Sequence, residues 1–402
     1  MSDVAAPTPQ QVIEKPMNKA AIAVAVAALV VGALALAYVP IGERTDGPQR
    51  AIYFLLGAGF GAALLYGAFG FTAGWRTVVT TGDGRNLRAQ FVVISLTMLA
   101  FIPLTSGWLD TGQTMRGLVF PVGVPVVIGS FIFGIGMQLG NGCGSGTLFT
   151  FGGGSKRMLF TLPAFIAGSV IGALHAPFWN AMPSIGSVNL ARELTVPGVI
   201  VLQIGILAAI GWWTLRRERA LGLKHSTKAS PKGWWLRGPW PIYLAGIVIV
   251  ILNIATLLIS GGPWSITYGF AIWGGAILET VGVDVASWNY LGWAREPGQV
   301  TQAVVTSRIS LMDLGLIFGA MLAAGLGGKF AAPQKLGTGP ILAAIIGGLI
   351  MGYGARLSFG CNIGAYYAGI ASGSLHGWVW FVCAFAGSLV GIRLRPLFGM
   401  AR

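Results

Sequence analysis

Ten apolar runs, each near the length that crosses about 30 Å of hydrocarbon, recur at residues 20–40, 50–71, 88–107, 118–139, 158–176, 197–215, 240–260, 309–328, 338–356 and 376–395. A backbone in lipid must satisfy its own hydrogen bonds. Runs of this length do so as helices, so the chain is expected to be an all-α polytopic membrane protein. Hydrophobic residues make up 54% of the chain and charged residues 9%, more apolar surface than a soluble core hides. Four shorter stretches, 72–81, 143–153, 268–282 and 361–372, are too short or too glycine-broken to cross alone. They read as re-entrant half-helices.

The first run follows a polar leader with Lys15 and Lys19. Its apolar length exceeds that of a signal peptide, so an uncleaved helix is expected. The net charge of +14 raises the question of nucleic acid, and its distribution answers against it. With the N-terminus cytoplasmic and ten alternating spans, 19 Lys and Arg fall inside and 7 outside, making up the 26 of the chain. The inside set includes Arg76, Lys156, Arg157, Arg393, Arg395 and the block 216–237, as the positive-inside rule requires. Both termini are then cytoplasmic. The organisation expected is a leader (1–19), a first helix with its outer loop (20–47), a first repeat (48–196), a linker helix with a basic loop (197–238) and a second repeat (239–402).

The repeat is explicit in the sequence. GSFIFGIGMQLGNGCGSG around Cys143 matches GGLIMGYGARLSFGCNIG around Cys361, with Gly134, Gly136, Gly142 and Gly146 aligned on Gly352, Gly354, Gly360 and Gly364. The offset is 218 residues before the cysteine and 219 after it. A fainter pair, GAFGFTAG (67–74) and GPWSITYG (262–269), aligns Thr72 with Thr267 and Gly74 with Gly269. The second copy begins five spans after the first, and an odd offset makes the two antiparallel. Inverted repeats with broken helices place binding sites near the midplane between the copies, and the same logic would serve an hourglass channel.

Around Cys143 glycine is too dense for a stable helix interior, while it allows close approach of backbone to a ligand. The candidate contacts are Cys143 with Asn141, Gly142 and Gly144, and Cys361 with Gly360, Asn362 and Gly364. Ser145 or Thr147, and Asn362, are suitable N-caps for the short helices TLFTF and AYYAGIA. Helix N-termini offer free N–H donors to anions, and a thiol is a weak donor suited to a polarisable partner. The expected cargo is a small anion containing sulfur. Arg356, five residues before Cys361, either attracts that anion or snorkels to the interface; its counterpart is Gln138. Arg76 reads first as an orientation anchor, and Cys383 as a small hydrophobe. Glu279 and Asp313 are the intramembrane acids, whereas Asp46 and Glu218 read as solvated. Three cysteines without CxxC spacing and three scattered histidines give no metal site, and no nucleotide motif or catalytic carboxylate pair calls for a cofactor.

These motifs resemble the YeeE/YedE family of sulfur-compound transporters. The resemblance rests on GNGCGSG, GARLSFGCNIG and the GAFGFT element, and covers most of residues 48–396. It implies inward transport of thiosulfate or a related species across a bacterial inner membrane, with Cys143 and Cys361 in a relay of S–H hydrogen bonds and a soluble sulfur-carrier protein as a further partner. Relatives carry a third cysteine in the element where this chain has Gly70, Phe71 and Thr72, so Thr72 is the candidate there. Longer members are linked to selenium, and the length of this chain with its aromatic insertion at 268–306 is compatible with that subgroup. A selenium-compound transporter and a membrane-embedded, cysteine-dependent sulfurtransferase are the alternatives. An enzyme is disfavoured because neither cysteine has a local histidine to activate it. Nothing in the sequence sets the oligomeric state.

Overall fold

The computed structural model describes residues 16–41, 45–223, 233–288, 298–332 and 336–402. The leader to residue 15, positions 224–232 of the basic block and positions 289–297 of the aromatic insertion lie outside the described residues.

The first half runs through α1 (Lys19–Tyr38), α2 (Gly47–Tyr66), α3 (Phe71–Thr80), α4 (Arg85–Thr105), α5 (Val124–Gly140), α6 (Gly144–Gly152) and α7 (Met158–Leu174). Short α8 (Ala176–Asn180) and α9 (Leu190–Glu193) precede the linker helix α10 (Val196–Ala220) and α11 (Trp234–Arg237). The second half contains α12 (Ile242–Ser260), α13 (Thr267–Thr280), α14 (Gln299–Thr306), α15 (Arg308–Leu326), α16 (Thr338–Leu357), a π-helical turn (Asn362–Tyr367) continuing into α17 (Ala368–Ala371), and α18 (Leu375–Leu394). A small antiparallel pair, β1 (Pro121–Gly123) with β2 (Ser184–Ser187), ties two loops at one end. Among the described residues nine helical runs are long and apolar enough to cross a membrane, and Met158–Leu174 is a shorter apolar helix of 17 residues.

The helix starts follow local chemistry. Asn18 Oδ1 accepts from the Ala21 N–H at 3.0 Å, and Thr195 Oγ1 from Gly198 at 3.2 Å, each satisfying a free N-terminal donor. Proline occupies the first turn of α2, α5 and α10, where its missing N–H costs nothing. All four short stretches form helices, close to the boundaries expected.

Between helices in an apolar solvent, burial of apolar surface gives little, and close backbone packing through small residues must supply the attraction. The long helices show this. A Cβ on Gly57 would stand 2.1 Å from the Met312 carbonyl oxygen and one on Gly61 2.0 Å from that of Leu316; reciprocally, Gly315 and Gly319 abut the carbonyls of Phe54 and Ala58. The glycine pair of α2 thus serves an interface inside the chain, with α15. The pattern recurs at the spacing of the sequence repeat. Gly134 of α5 faces the Ala384 carbonyl of α18, and its counterpart Gly352 of α16 faces the Phe165 carbonyl of α7; Gly168 faces Leu349 as Gly387 faces Phe131. Helices α5 and α16 meet each other through Gly136 and Gly347, while α6 packs on α15 as α17 packs on α4.

Two acids sit differently from expectation. Glu218 is 4% exposed and forms an ion pair of 2.6 Å with Arg88, a partner too distant in sequence to suggest itself. Glu279, expected within the membrane, is at the end of α13, where its carboxylate accepts from the Gly298 and Thr301 N–H groups at 2.7 Å each and caps the start of α14.

Gly168→Val places branched carbon where an added Cβ would be 2.0 Å from the Leu349 oxygen. Overpacking of this kind costs about 1–3 kcal/mol or more, so a thermal shift assay in detergent is expected to show a lower melting temperature. Gly205→Ala on α10, with nothing within 4 Å, is expected to hold or raise it. Equal melting temperatures for the two variants would contradict the packing account.

Candidate functional site

Helix α5 ends at Gly140 with Asn141 in the left-handed region (φ 65°), a common way to stop a helix. Two residues later Cys143 begins α6. Helix α16 ends at Leu357; Phe359 (φ 57°) and Gly360 (φ 156°) reverse the chain, and Cys361 begins the π turn. A Cβ at residue 360 would stand 2.8 Å from the Ala365 nitrogen, so glycine is required there. Both cysteines are therefore themselves the N-cap residues, with extended backbones (ψ −166° in each). This corrects the expectation that Ser145, Thr147 or Asn362 would cap. The Cys143 carbonyl accepts from Thr147 at 2.8 Å, and the Cys361 carbonyl from Ala365 at 2.9 Å and Tyr366 at 3.4 Å. Glycine at 144 lets the helix begin before the oxygen-bearing side chains are reached.

The Cys143 sulfur faces the Ser145 and Gly146 N–H groups, and the Cys361 sulfur those of Ile363 and Gly364, without closing a regular cap hydrogen bond. Cys143 Sγ is 3.4 Å from Ser145 Oγ. The two cysteine turns come from opposite halves of the chain and touch at Gly144. A Cβ on Gly144 would be 3.0 Å from Cys361 Sγ and 3.2 Å from Thr267 Cγ2. Since neighbouring Cα atoms are 3.80 Å apart, the Cys361 sulfur lies within about 8 Å of the Cys143 Cα. Both thiols are sealed, at 1% and 0% exposure.

The remaining candidates divide. Gly142 closes against the backbone of Gly146 and Thr147, and Gly364 faces Ser265 Oγ, so both belong to the cysteine turns. Asn362 is buried beside Cys361 with both side-chain polar atoms unpartnered among the described residues. Thr72 lies in the first turn of α3; its carbonyl accepts from Gln138 Nε2 at 3.2 Å, while its hydroxyl is buried and unpartnered among the described residues. Asn141 is engaged by arginines, its Oδ1 accepting from Arg76 at 3.1 Å and Arg395 at 3.3 Å. Arg356 is buried in the last turn of α16 with its stem against Gly172 of α7.

Aromatic rings wall the second cysteine turn. Tyr366 stacks on Phe381 at 4.9 Å and meets Phe71 and Trp75 edge-on at 6.1 and 5.7 Å, while Tyr367 shares a 2.6 Å hydrogen bond with Thr97. Asp313 is fully buried with both carboxylate oxygens unpartnered among the described residues, and Oδ2 occupies the space beside Gly269, 2.3 Å from where a Cβ would stand. It is also within Coulombic range of Cys361. In the other copy Gly74 faces Gln90 in the same manner. Ser265, facing Gly364, and Gln138, bonded to the Thr72 carbonyl, were not anticipated as site residues; the match of GPWSITYG with GAFGFTAG was the available signal for Ser265.

A family model described as "Sulphur transport" matches residues 66–390. The chain belongs to this family. Among curated relatives, "Probable transporter YedE" of Escherichia coli (strain K12) is 34% identical over 166 residues, 41% of this chain and 40% of that protein. The corresponding protein of Salmonella typhimurium matches over 41% of its length, so the chain aligns with well under half of either. "Thiosulfate transporter TsuA" of Spirochaeta thermophila is 27% identical over 349 residues, 81% of this chain and 92% of the relative. The family and these relatives are named for transport, and none for an enzyme.

The burial pattern sets an order of thiol reactivity. Cys383 is partly exposed whereas Cys143 and Cys361 are buried. Treatment of the folded protein in detergent with N-ethylmaleimide, read by intact mass, is expected to add one label at most, on Cys383, and three after denaturation. Rapid labelling of Cys143 or Cys361 in the folded protein would show that the seal is not as described.

Proposed function

We propose that this chain transports a small sulfur-containing anion of the thiosulfate class through a constriction formed by Cys143 and Cys361. The observation that carries the reading is the meeting of two N-cap cysteines, one from each repeat, with the Cys361 sulfur against Gly144. The family match and the thiosulfate transporters among its relatives support the substrate class.

The chemistry follows from the donors present. Each thiol offers an S–H donor and a soft surface, and each stands where a helix start presents N–H groups and partial positive charge. An anion with a terminal sulfur would exchange part of its hydration for these contacts, which offset part of the cost of burying its charge. Moving between two adjacent thiols, it would keep one hydrogen bond while forming the next. Asn362 and Thr72 supply further unpaired donors, Thr72 in place of a third thiol, while Gly142, Gly144, Gly360 and Gly364 keep backbone close to the route. A sulfurtransferase would need a base beside a cysteine; among the described residues the imidazole nearest these turns in sequence, that of His376, has Nε2 2.9 Å from the Ser358 carbonyl and Nδ1 on the side of Gly369, and neither nitrogen is hydrogen-bonded to a thiol.

The reciprocal glycine contacts support two copies inverted across the membrane around this constriction. The basic ends of α4 and α7, opposite the Cys361 reversal, support an inner-membrane protein with both termini cytoplasmic. A soluble sulfur carrier would receive the cargo on that side.

Uptake of labelled thiosulfate into cells lacking other sulfur importers tests the reading at matched membrane levels. Cys143→Ala and Cys361→Ala are each expected to lower uptake about tenfold or more, the equivalent of at least 1.4 kcal/mol at the constriction. Full uptake by both variants would sink the relay. Uptake of selenium compounds in preference to thiosulfate would move the substrate to the selenium class.

A further inference from the structure

Three arginines from separate elements converge on the C-terminal end of α5. Arg395, following α18, donates through Nη1 to the Gln138 carbonyl at 2.6 Å and to Asn141 Oδ1 at 3.3 Å. Arg76 of α3 donates to the same Asn141 oxygen at 3.1 Å, and Arg157, preceding α7, donates to the Leu139 carbonyl. The guanidiniums are close enough to repel one another, Arg76 acting on both others and Arg157 on Arg395. The ion pairs of the described residues are Arg50 with Asp46, Arg85 with Asp83 and Arg88 with Glu218; none involves this cluster. The half negative charge of a helix C-terminus orients three cations without neutralising them. Arg157 and Arg395 are moreover 9% and 6% exposed, and Arg157 Nε is buried with no partner among the described residues.

The fold itself does not demand these charges. The second copy builds the equivalent turn with Phe359 in place of Asn141 and, at the repeat offset of 219, His376 in place of Arg157. Assembling mutually repelling, partly desolvated arginines is unfavourable unless an anion completes the site.

We propose that Arg76, Arg157 and Arg395 form a binding site for a divalent tetrahedral oxyanion, which, on the transport reading above, is the cargo at the end of its route beside Cys143. Guanidiniums match such oxygens with paired N–H donors. Asn141 is two residues from Cys143, at most about 7.6 Å between Cα atoms, so a ligand on the triad is one short step from the first thiol. A lipid phosphate offers the same chemistry. The depth of Arg157 and Arg395 behind Asn141 favours the free ion.

The test uses the full chain in phosphatidylcholine nanodiscs, titrated calorimetrically with sodium sulfate and sodium thiosulfate at low ionic strength. The unaltered protein is expected to bind both. Arg76→Gln, chosen because that side chain is partly exposed and bonds only Asn141 among its described partners, is expected to weaken binding about tenfold, with Arg76→Lys intermediate and Cys143→Ser retaining sulfate binding. Unchanged affinity in Arg76→Gln and Arg395→Gln would overturn the site. Loss of sulfate binding only when phosphatidylglycerol is added, with thermal stabilisation by that lipid abolished in Arg76→Gln, would assign the triad to a headgroup and overturn the cargo assignment. Arginine-dependent sulfate binding by a protein that fails to take up thiosulfate would uphold the site and remove the transport reading. Normal uptake with no arginine-dependent binding would do the reverse.

Discussion

Interrupting a helix inside an apolar bundle exposes backbone donors and acceptors that lipid cannot satisfy, at several kcal/mol for each group. This chain does so beside both cysteines, and the rest of the structure is arranged around that cost. The broken ends are placed against each other, so that N–H groups of α6 and of the π turn surround two thiols instead of facing hydrocarbon. Such placement needs a casing that leaves no room for lipid. Glycine-to-carbonyl contacts along α2 with α15, α5 with α18 and α7 with α16 supply it.

The aromatic and polar groups around the broken segments divide the work. Phe71, Trp75, Tyr366 and Phe381 fill space around the second cysteine turn, fixing the short helices without contributing charge. The hydroxyl of Thr72 and the amide of Asn362 are buried among them with no described partner. Desolvated groups of this kind are costly in a merely structural core. Their position at the start of α3 and of the π turn associates that cost with the same place where the two halves meet.

Much of this was legible in the sequence, for reasons that also explain the failures. The long helices and the four short ones follow from apolar length and glycine density, which are local. The pairing of the cysteines follows from the repeat, which carries tertiary information in one dimension. The caps were misread because cap preferences weigh oxygen-bearing side chains, whereas here glycine after Cys143 and before Cys361 lets each cysteine take the position. Glu218 was misread because Arg88, its partner, is 130 residues away. The arginine cluster was hidden for the same reason: Arg76, Arg157 and Arg395 each satisfy the positive-inside rule separately, and only the fold shows them sharing the end of one helix.

The matched sequences place a left-handed residue two positions before each cysteine, Asn141 (φ 65°) and Phe359 (φ 57°), and make each cysteine an N-cap, so the shared residues by themselves do little to distinguish the two turns. Any preference must come from positions where the copies differ chemically. Those positions cluster around the turns: Asn141 with its arginines against Phe359, Arg157 against His376, Gln138 against Arg356, and Gln90 against the buried Asp313. Each exchange alters charge or hydrogen-bonding capacity while leaving the helix packing in place. The shared glycines and cysteines therefore build the frame, and the unshared residues differ in charge: Arg76, Arg157 and Arg395 gather beside Asn141, while the Cys361 side carries the buried Asp313 and Arg356.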